Sequence, residues 1–402
     1  MIEVLRSWVT GPLESYAPGF AAELARRGYT ANSAAAQVGV VAHLSRWMLG
    51  ERLDVVGLVE PVIERYMAVR RRAGYTNYRT SRALVPLLGY LRGLGVAPPP
   101  ASPPRTPVEA LLERYRHYLI VERGLGVRTA RGYVDAVRPF VAGRSGVDGL
   151  DLAGLAAADV TAFVLAACPG RAVGSAKMLV TGLRSLLGFL HVDGVIPTGL
   201  AGAVPSVAGW RLAGLPRALE PGQVVRLVGS CDRRRAVGRR DVAILLLLVR
   251  LGLRAGEVAA LGLDDIDWRA GEIIVRGKGH RAERLPLPVE VGDAVAGYLR
   301  RGRPATAEGR TVFVRVKAPH RALTSGGVTE VVFAAGQRAG LGKLYAHRLR
   351  HTAATTMLRA GTPLAQVGQV LRHRRALTTA IYAKVDRDAL GALARPWPGA
   401  LS

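Results

Sequence analysis

His347, Arg350 and His351 stand at i, i+3 and i+4 in HRLRHTAAT, a spacing that puts all three side chains on one face of a helix. Such a face can address a single anion, and it is also what a solvated basic helix presents. The His-x-x-x-His pair lacks the intervening glutamate of a zincin and no third metal ligand is evident. Arg254, in VRLGLRAGEVAAL, follows an apolar run and a glycine that permits a sharp turn into a new helix. It can hold an anion or pair with Glu257 three residues on. Lys278 sits between glycines in RGKGH, His373 follows Arg350 by twenty-three residues, and Tyr382 follows His373 by nine. Apolar neighbours in LTTAIYAKV would bury that tyrosine. Asp264, Asp265 and Asp267 form an acidic cluster that could bind Mg²⁺, but aspartates are favoured there on local grounds as residues of a turn before the hairpin.

Several elements must position these side chains. Val242 to Val249 is the strongest apolar run, far short of the roughly 20 residues a membrane span requires, and reads as a buried core helix. Gly271 to Leu287 has β-branched residues, a Gly-Lys-Gly turn and a resumed apolar alternation, which predicts a β-hairpin with Lys278 at its turn. From His347 the pattern is helical up to Gly361, which suits a left-handed C-cap, and Pro363 suits the start of the next helix. The C-terminal part reads as a series of short helices.

Upstream, the proline-rich APPPASPPRTP at 97–107 cannot continue a helix and ends a first segment, 1–96. A second segment, 108–195, shows helical spacing at Val108, Leu111, Leu112, Tyr115, Tyr118 and Leu119. A Gly- and Pro-containing linker at 196–215 leads to a third segment, 216–402. Arg27-Gly28 answers Arg123-Gly124, and LLGYL then Gly95-Val96 answers LLGFL then Gly194-Val195 at nearly the same offset, so the first two segments read as tandem, possible duplicate, helical domains. The expected fold is mainly α, with tandem helical domains followed by an α+β domain of helices around a small antiparallel β-sheet.

The 402 residues carry 56 Lys plus Arg against 30 Asp plus Glu, a formal charge of +26, so a polyanion is the first partner to consider and nucleic acid the leading one. Two cysteines, Cys168 and Cys231, are too few for a disulfide framework, which fits a reducing cytoplasm. No secretory signal is expected at Met1 to Thr10 and no membrane partner.

Taken in order, Arg254, Lys278, His347-x-x-Arg350, His373 and Tyr382 have the spacings of one constellation, and the chain resembles the tyrosine recombinase (phage integrase) family. LGLRAGEVAAL, the GKG hairpin, HRLRHTAAT and LRHRRALTTAIYAKV carry that likeness across the third segment. On weaker grounds, 108–195 is similar to the family's SAM-like core-binding domain. The resemblance implies DNA strand cutting and rejoining through a 3′-phosphotyrosyl intermediate, on specific double-stranded sites. Tyr382 would be the nucleophile and Lys278 the general acid. Arg254, Arg350 and His373 would bind the scissile phosphate, and His347 would assist proton transfer. Glu257 would orient Arg254 and His351 buttress the helix. Neither a cofactor nor a metal is implied, and neither Gly277-Lys278 nor Gly342-Lys343 completes a Walker A pattern. The resemblance further implies a homotetramer on synapsed DNA and a tail from Arg387 to Ser402 that docks on the adjacent protomer, the other reading being that it packs back on its own domain. A cytoplasmic, nucleoid-associated enzyme is expected, and the extra amino-terminal domain with Leu371-Arg372-His373 favours mobile-element integration and excision.

One position departs from the family pattern: Arg372 stands where glycine is usual before the second histidine, and could crowd the helix turn or add a phosphate contact. Three readings stay open. They are the recombinase, with chromosome dimer resolution of the XerC/XerD kind as its other job, a metal-dependent nuclease built on the three aspartates, and a DNA-binding protein without catalysis.

Overall fold

The computed structural model describes residues 9–100, 106–146, 149–208, 218–277 and 282–372, with Thr379 and Tyr382. Its contacts divide the chain into two compact units, 1–99 with 214–402, and 100–213.

In the first segment, α1 (Ala17–Arg26), α2 (Ala31–Gly50), α3 (Glu60–Arg72) and α4 (Val85–Gly93) surround a core of its own that includes Phe20, Leu44, Met48, Tyr66 and Leu91. Thr30 caps α2 by accepting the Ser33 N–H. The second unit contains α5 (Pro107–Val121), α6 (Val127–Ala142), the paired β1 (Ser145–Gly146) and β2 (Gly149–Leu150), α7 (Ala157–Ala167) and α8 (Val173–Val192). Among the described residues α8 is the one helix long and apolar enough to cross a membrane. Its Leu183, Leu186, Leu187 and Leu190 are fully buried and form the core of this unit. The glycine turns that close α4 and α8 are alike. Gly95 and Val96 donate to the Arg92 and Leu91 carbonyls, as Gly194 and Val195 donate to those of His191 and Leu190.

The third segment is built around α10 (Ala236–Arg250), which follows α9 (Pro221–Gly229). Every residue from Val242 to Val249 is buried. A helix apolar on all sides needs neighbours on all sides. They are α12 (Val289–Arg301), α13 (Ser325–Arg338) and α14 (Ala346–Arg359), reached after the short α11 (Ala255–Ala260) and the sheet. In that sheet β4 (Glu272–Arg276) pairs antiparallel with β5 (Ala282–Pro286), Ile274 opposite Arg284, and with β3 (Ile266–Asp267) on its other edge. Ile273, Val275 and Leu285 face the core. The hairpin lies where the alternation predicts it, and its turn, with Lys278, lies outside the described residues. α14 closes with Gly361 and Thr362 donating to the Leu358 and Met357 carbonyls, and α15 (Leu364–Val370) begins directly after Pro363.

Candidate active site

The face of α14 carries His347, Arg350 and His351 as the spacing requires, with the two imidazole rings edge to face at 4.3 Å. Arg350 points inward and is only 2% exposed. Its Nη1 donates to the Gly252 carbonyl at 2.5 Å and its Nη2 to the Leu371 carbonyl. One guanidinium therefore clamps two turns remote in sequence, the one that ends α10 and the one that ends α15. Burial, then the Arg254 charge, lowers its pKa to about 10, with Glu257 acting in the opposite direction. Arg350 remains a cation at neutral pH.

Arg254 sits at the N-cap of α11, placed there by Gly252, whose φ of +60° only glycine adopts without strain. Its backbone N–H donates to Glu257 Oε2 at 2.8 Å and its Nη1 to Oε1 at 2.6 Å. Its side chain stays 45% exposed, so the guanidinium that pairs with Glu257 also faces solvent. Glu257 is itself buried. Burial alone would raise its carboxyl pKa, but the Arg254 N–H and the charges of Arg372 and Arg254 outweigh it and hold the group below its ordinary value.

Tyr382 is 1% exposed, in contact with a small apolar cluster of Ala354, Val367 and Leu371. Its hydroxyl lies 2.7 Å from Nδ1 of His351. Burial raises the phenol pKa while the Arg350 charge pulls it down. His351 moves the other way, its pKa lowered to about 4 by burial and by the neighbouring His347 and Arg350, so its imidazole is neutral at pH 7. With the ring proton on Nε2, Nδ1 becomes an acceptor for the phenolic hydrogen. His347 is open to solvent on one side, and partial desolvation followed by the charges of Arg350 and Arg254 lowers its pKa too.

Arg254, Glu257, His347, Arg350, His351 and Tyr382 are thus brought to one place. Lys278 and His373 lie outside the described residues. Sequence reasoning gave His351 only the role of buttress, and the structure sets it against the tyrosine. Arg372, expected to crowd the turn or add a phosphate contact, does not face outward but is buried. It adopts φ +55° and turns inward onto Glu257 at 2.8 Å. The three aspartates have separate local duties: Asp264 pairs with Arg310, Asp265 pairs with Arg276 and caps Gly262, and Asp267 accepts the N–H groups of Arg269 and Ala270. Among the described residues no three His, Cys, Asp or Glu side chains cluster as a metal site.

Comparison with known proteins decides the family. The model of the phage integrase family matches residues 217–388. A protein named integrase/recombinase y4rA, from Sinorhizobium fredii, is 41% identical over 394 residues, 97% of this chain and 95% of that one. The chain belongs to the tyrosine recombinase (phage integrase) family. Tyrosine recombinase XerD of Listeria monocytogenes is 30% identical over 282 residues, 69% of this chain and 94% of XerD. Among solved structures, that of the XerH site-specific recombinase in a post-cleavage complex with palindromic difH substrate matches with a TM-score of 0.56 and 18% identity, covering 73% of this chain and 97% of that one. That likeness is one of fold. It agrees with the mainly helical architecture and small antiparallel sheet expected from sequence. As a tyrosine recombinase the protein is a site-specific DNA recombinase.

Proposed function

We propose that Tyr382 is the nucleophile of this recombinase. In the reaction its phenolic oxygen bonds to the phosphorus of a scissile phosphodiester, the P–O5′ bond breaks, and a 3′-phosphotyrosyl link holds the strand until another 5′-hydroxyl reverses the step. One phosphoester replaces another, so the bond energy is kept and no nucleotide cofactor or metal is needed. The contact between the Tyr382 hydroxyl and a neutral His351 carries this reading. An imidazole held at a pKa of about 4 is a weak base in the free protein. A phosphate anion entering beside Arg350 offsets part of the positive charge that depresses it, so substrate entry strengthens the base that receives the phenolic proton. Arg254, half open to solvent, and Arg350 behind it oppose the charge that builds on the non-bridging oxygens. Lys278 would protonate the departing 5′-oxygen, His347 would assist proton transfer, and His373 would hydrogen-bond the phosphate.

The partner in this reading is double-stranded DNA, favoured by the +26 charge and by the DNA-bound state of the XerH structure. Residues 216–402 are the catalytic domain and tail, 196–215 the linker, 108–195 the core-binding domain, and 1–96 a further helical domain that holds flanking DNA or a neighbouring protomer. The working assembly is a homotetramer on synapsed sites, acting on the nucleoid in the cytoplasm. Integration and excision of a mobile element is favoured over chromosome dimer resolution because y4rA, named an integrase/recombinase, matches 97% of the chain, whereas the XerD match spans 69%.

The test is trapping on nicked DNA taken from the flanks of the gene, in EDTA. An SDS-stable protein–DNA adduct formed by wild type and absent with Tyr382→Phe supports the reading. Tight DNA binding with no adduct supports the non-catalytic alternative.

A further inference from the structure

Arg372 is used by nothing in the mechanism above, yet it is one of three non-glycine residues, with Arg52 and Tyr78, that hold a positive φ among the described residues. Its φ of +55° lies in the left-handed region that a side chain with a Cβ resists. Its side chain is 4% exposed, and its Nε has no hydrogen-bond partner among the described residues. A buried guanidinium on a strained backbone persists only where its other contacts hold it. Those contacts run into the site. Nη2 donates to Glu257 Oε2 at 2.8 Å, and Nη1 donates to the Val370 carbonyl at 3.0 Å, which folds the turn back on itself.

The turn so held presents two successive carbonyls to the two arginines assigned to the phosphate. That of Leu371 accepts from Arg350, and that of Arg372 itself accepts from Arg254 Nη2 at 3.4 Å. Glu257 meanwhile bridges Arg254 and Arg372 with its two oxygens. From this arrangement we propose that Arg372 is a positioning residue: by pinning the 370–372 turn to Glu257, its buried guanidinium fixes where Arg254 and Arg350 stand before the phosphate arrives. The proposal rests on the assignment of those two arginines to the scissile phosphate.

The experiment compares wild type, Arg372→Gly, Arg372→Met, Arg372→Lys and Glu257→Gln for DNA affinity and for single-turnover cleavage on a nicked site. Arg372→Gly relieves the backbone strain and removes the unpaired Nε, so it folds and isolates the loss of the tether. A displacement of catalytic groups by about 1 Å can cost about a hundredfold in rate. The Gly and Met variants should therefore cleave about ten- to a hundredfold more slowly, with DNA affinity changed less than about threefold. Arg372→Lys, which retains a cation, should recover part of the rate. Arg372→Met added to Glu257→Gln should be little slower than Glu257→Gln alone, because the Arg372 tether is already cut there, while Glu257→Gln also loses contacts to Arg254. Gly or Met variants that cleave at the wild-type rate or faster, or rate losses that multiply in the double variant, overturn the proposal. Wild type that forms no adduct at all overturns the underlying assignment and this inference with it. Adduct formation in wild type with undiminished variants overturns only the inference.

Discussion

Glu257→Gln should destabilise the protein by about 3 kcal/mol, because a buried cation that loses its partner costs about 3–5 kcal/mol. The structure gives the terms. The carboxylate accepts the Arg254 N–H, Arg254 Nη1 and Arg372 Nη2, all within 2.8 Å. A glutamine keeps one oxygen and turns an NH₂ toward the remaining donors. Arg254, 45% exposed, recovers water and contributes little to the loss, whereas Arg372, 4% exposed, is left as an uncompensated buried charge. In a domain of this size each kcal/mol moves Tm by about 2–4 °C, so calorimetry at pH 7 should show a drop of about 6–12 °C. The pH dependence has a definite sign. Glu257 has its folded pKa below its unfolded one, so its stabilisation is complete above the ordinary carboxyl value of 4.5 and is lost as pH falls through the lowered value. The gap between wild type and variant should be constant above about pH 5.5 and close on further acidification. A variant within about 2 °C of wild type at pH 7, or a gap that widens in acid, would mean that Glu257 does not neutralise a buried Arg372.

Gly252→Ala would place a Cβ 2.5 Å from Leu371 Cδ2 and 3.3 Å from Ala353 Cβ at φ +60°, so urea unfolding should show a loss of about 2–4 kcal/mol, and cleavage should slow because the Gly252 carbonyl no longer meets Arg350. The His351 imidazole, with a pKa of about 4, should show no protonation shift by NMR between pH 8 and about pH 5.5 in the free protein. His351→Gln should slow strand cleavage by about a hundredfold or more, without weakening DNA binding. Affinity for DNA should fall by about 10³ or more between 50 and 200 mM salt if six or more phosphates are neutralised, as equilibrium binding across that range would record.

Much of this site was readable from local spacing. A three-and-four repeat sufficed to place His347, Arg350 and His351 on one helical face, and an unbroken apolar run sufficed to bury Val242 to Val249. The hairpin of β4 and β5 followed from alternation around Gly-Lys-Gly. Local pattern fails where contacts join distant residues. The Gly252 carbonyl meets Arg350 and Glu257 meets Arg372 across about a hundred residues of chain, and nothing near either position announces its partner. Arg372 was visible as a departure, but the direction of its side chain depends on a left-handed φ that an arginine codon does not encode. The role of His351 likewise depends on Tyr382, thirty-one residues on, whose hydroxyl lies against its Nδ1.

That one tyrosine carries the DNA strand can be read out by digesting the trapped adduct with protease and nuclease and sequencing the modified peptide by mass spectrometry. A nucleotide remnant joined through its 3′-phosphate to Tyr382 is the expected product. A remnant on another tyrosine, on a serine, or joined through a 5′-phosphate would contradict it.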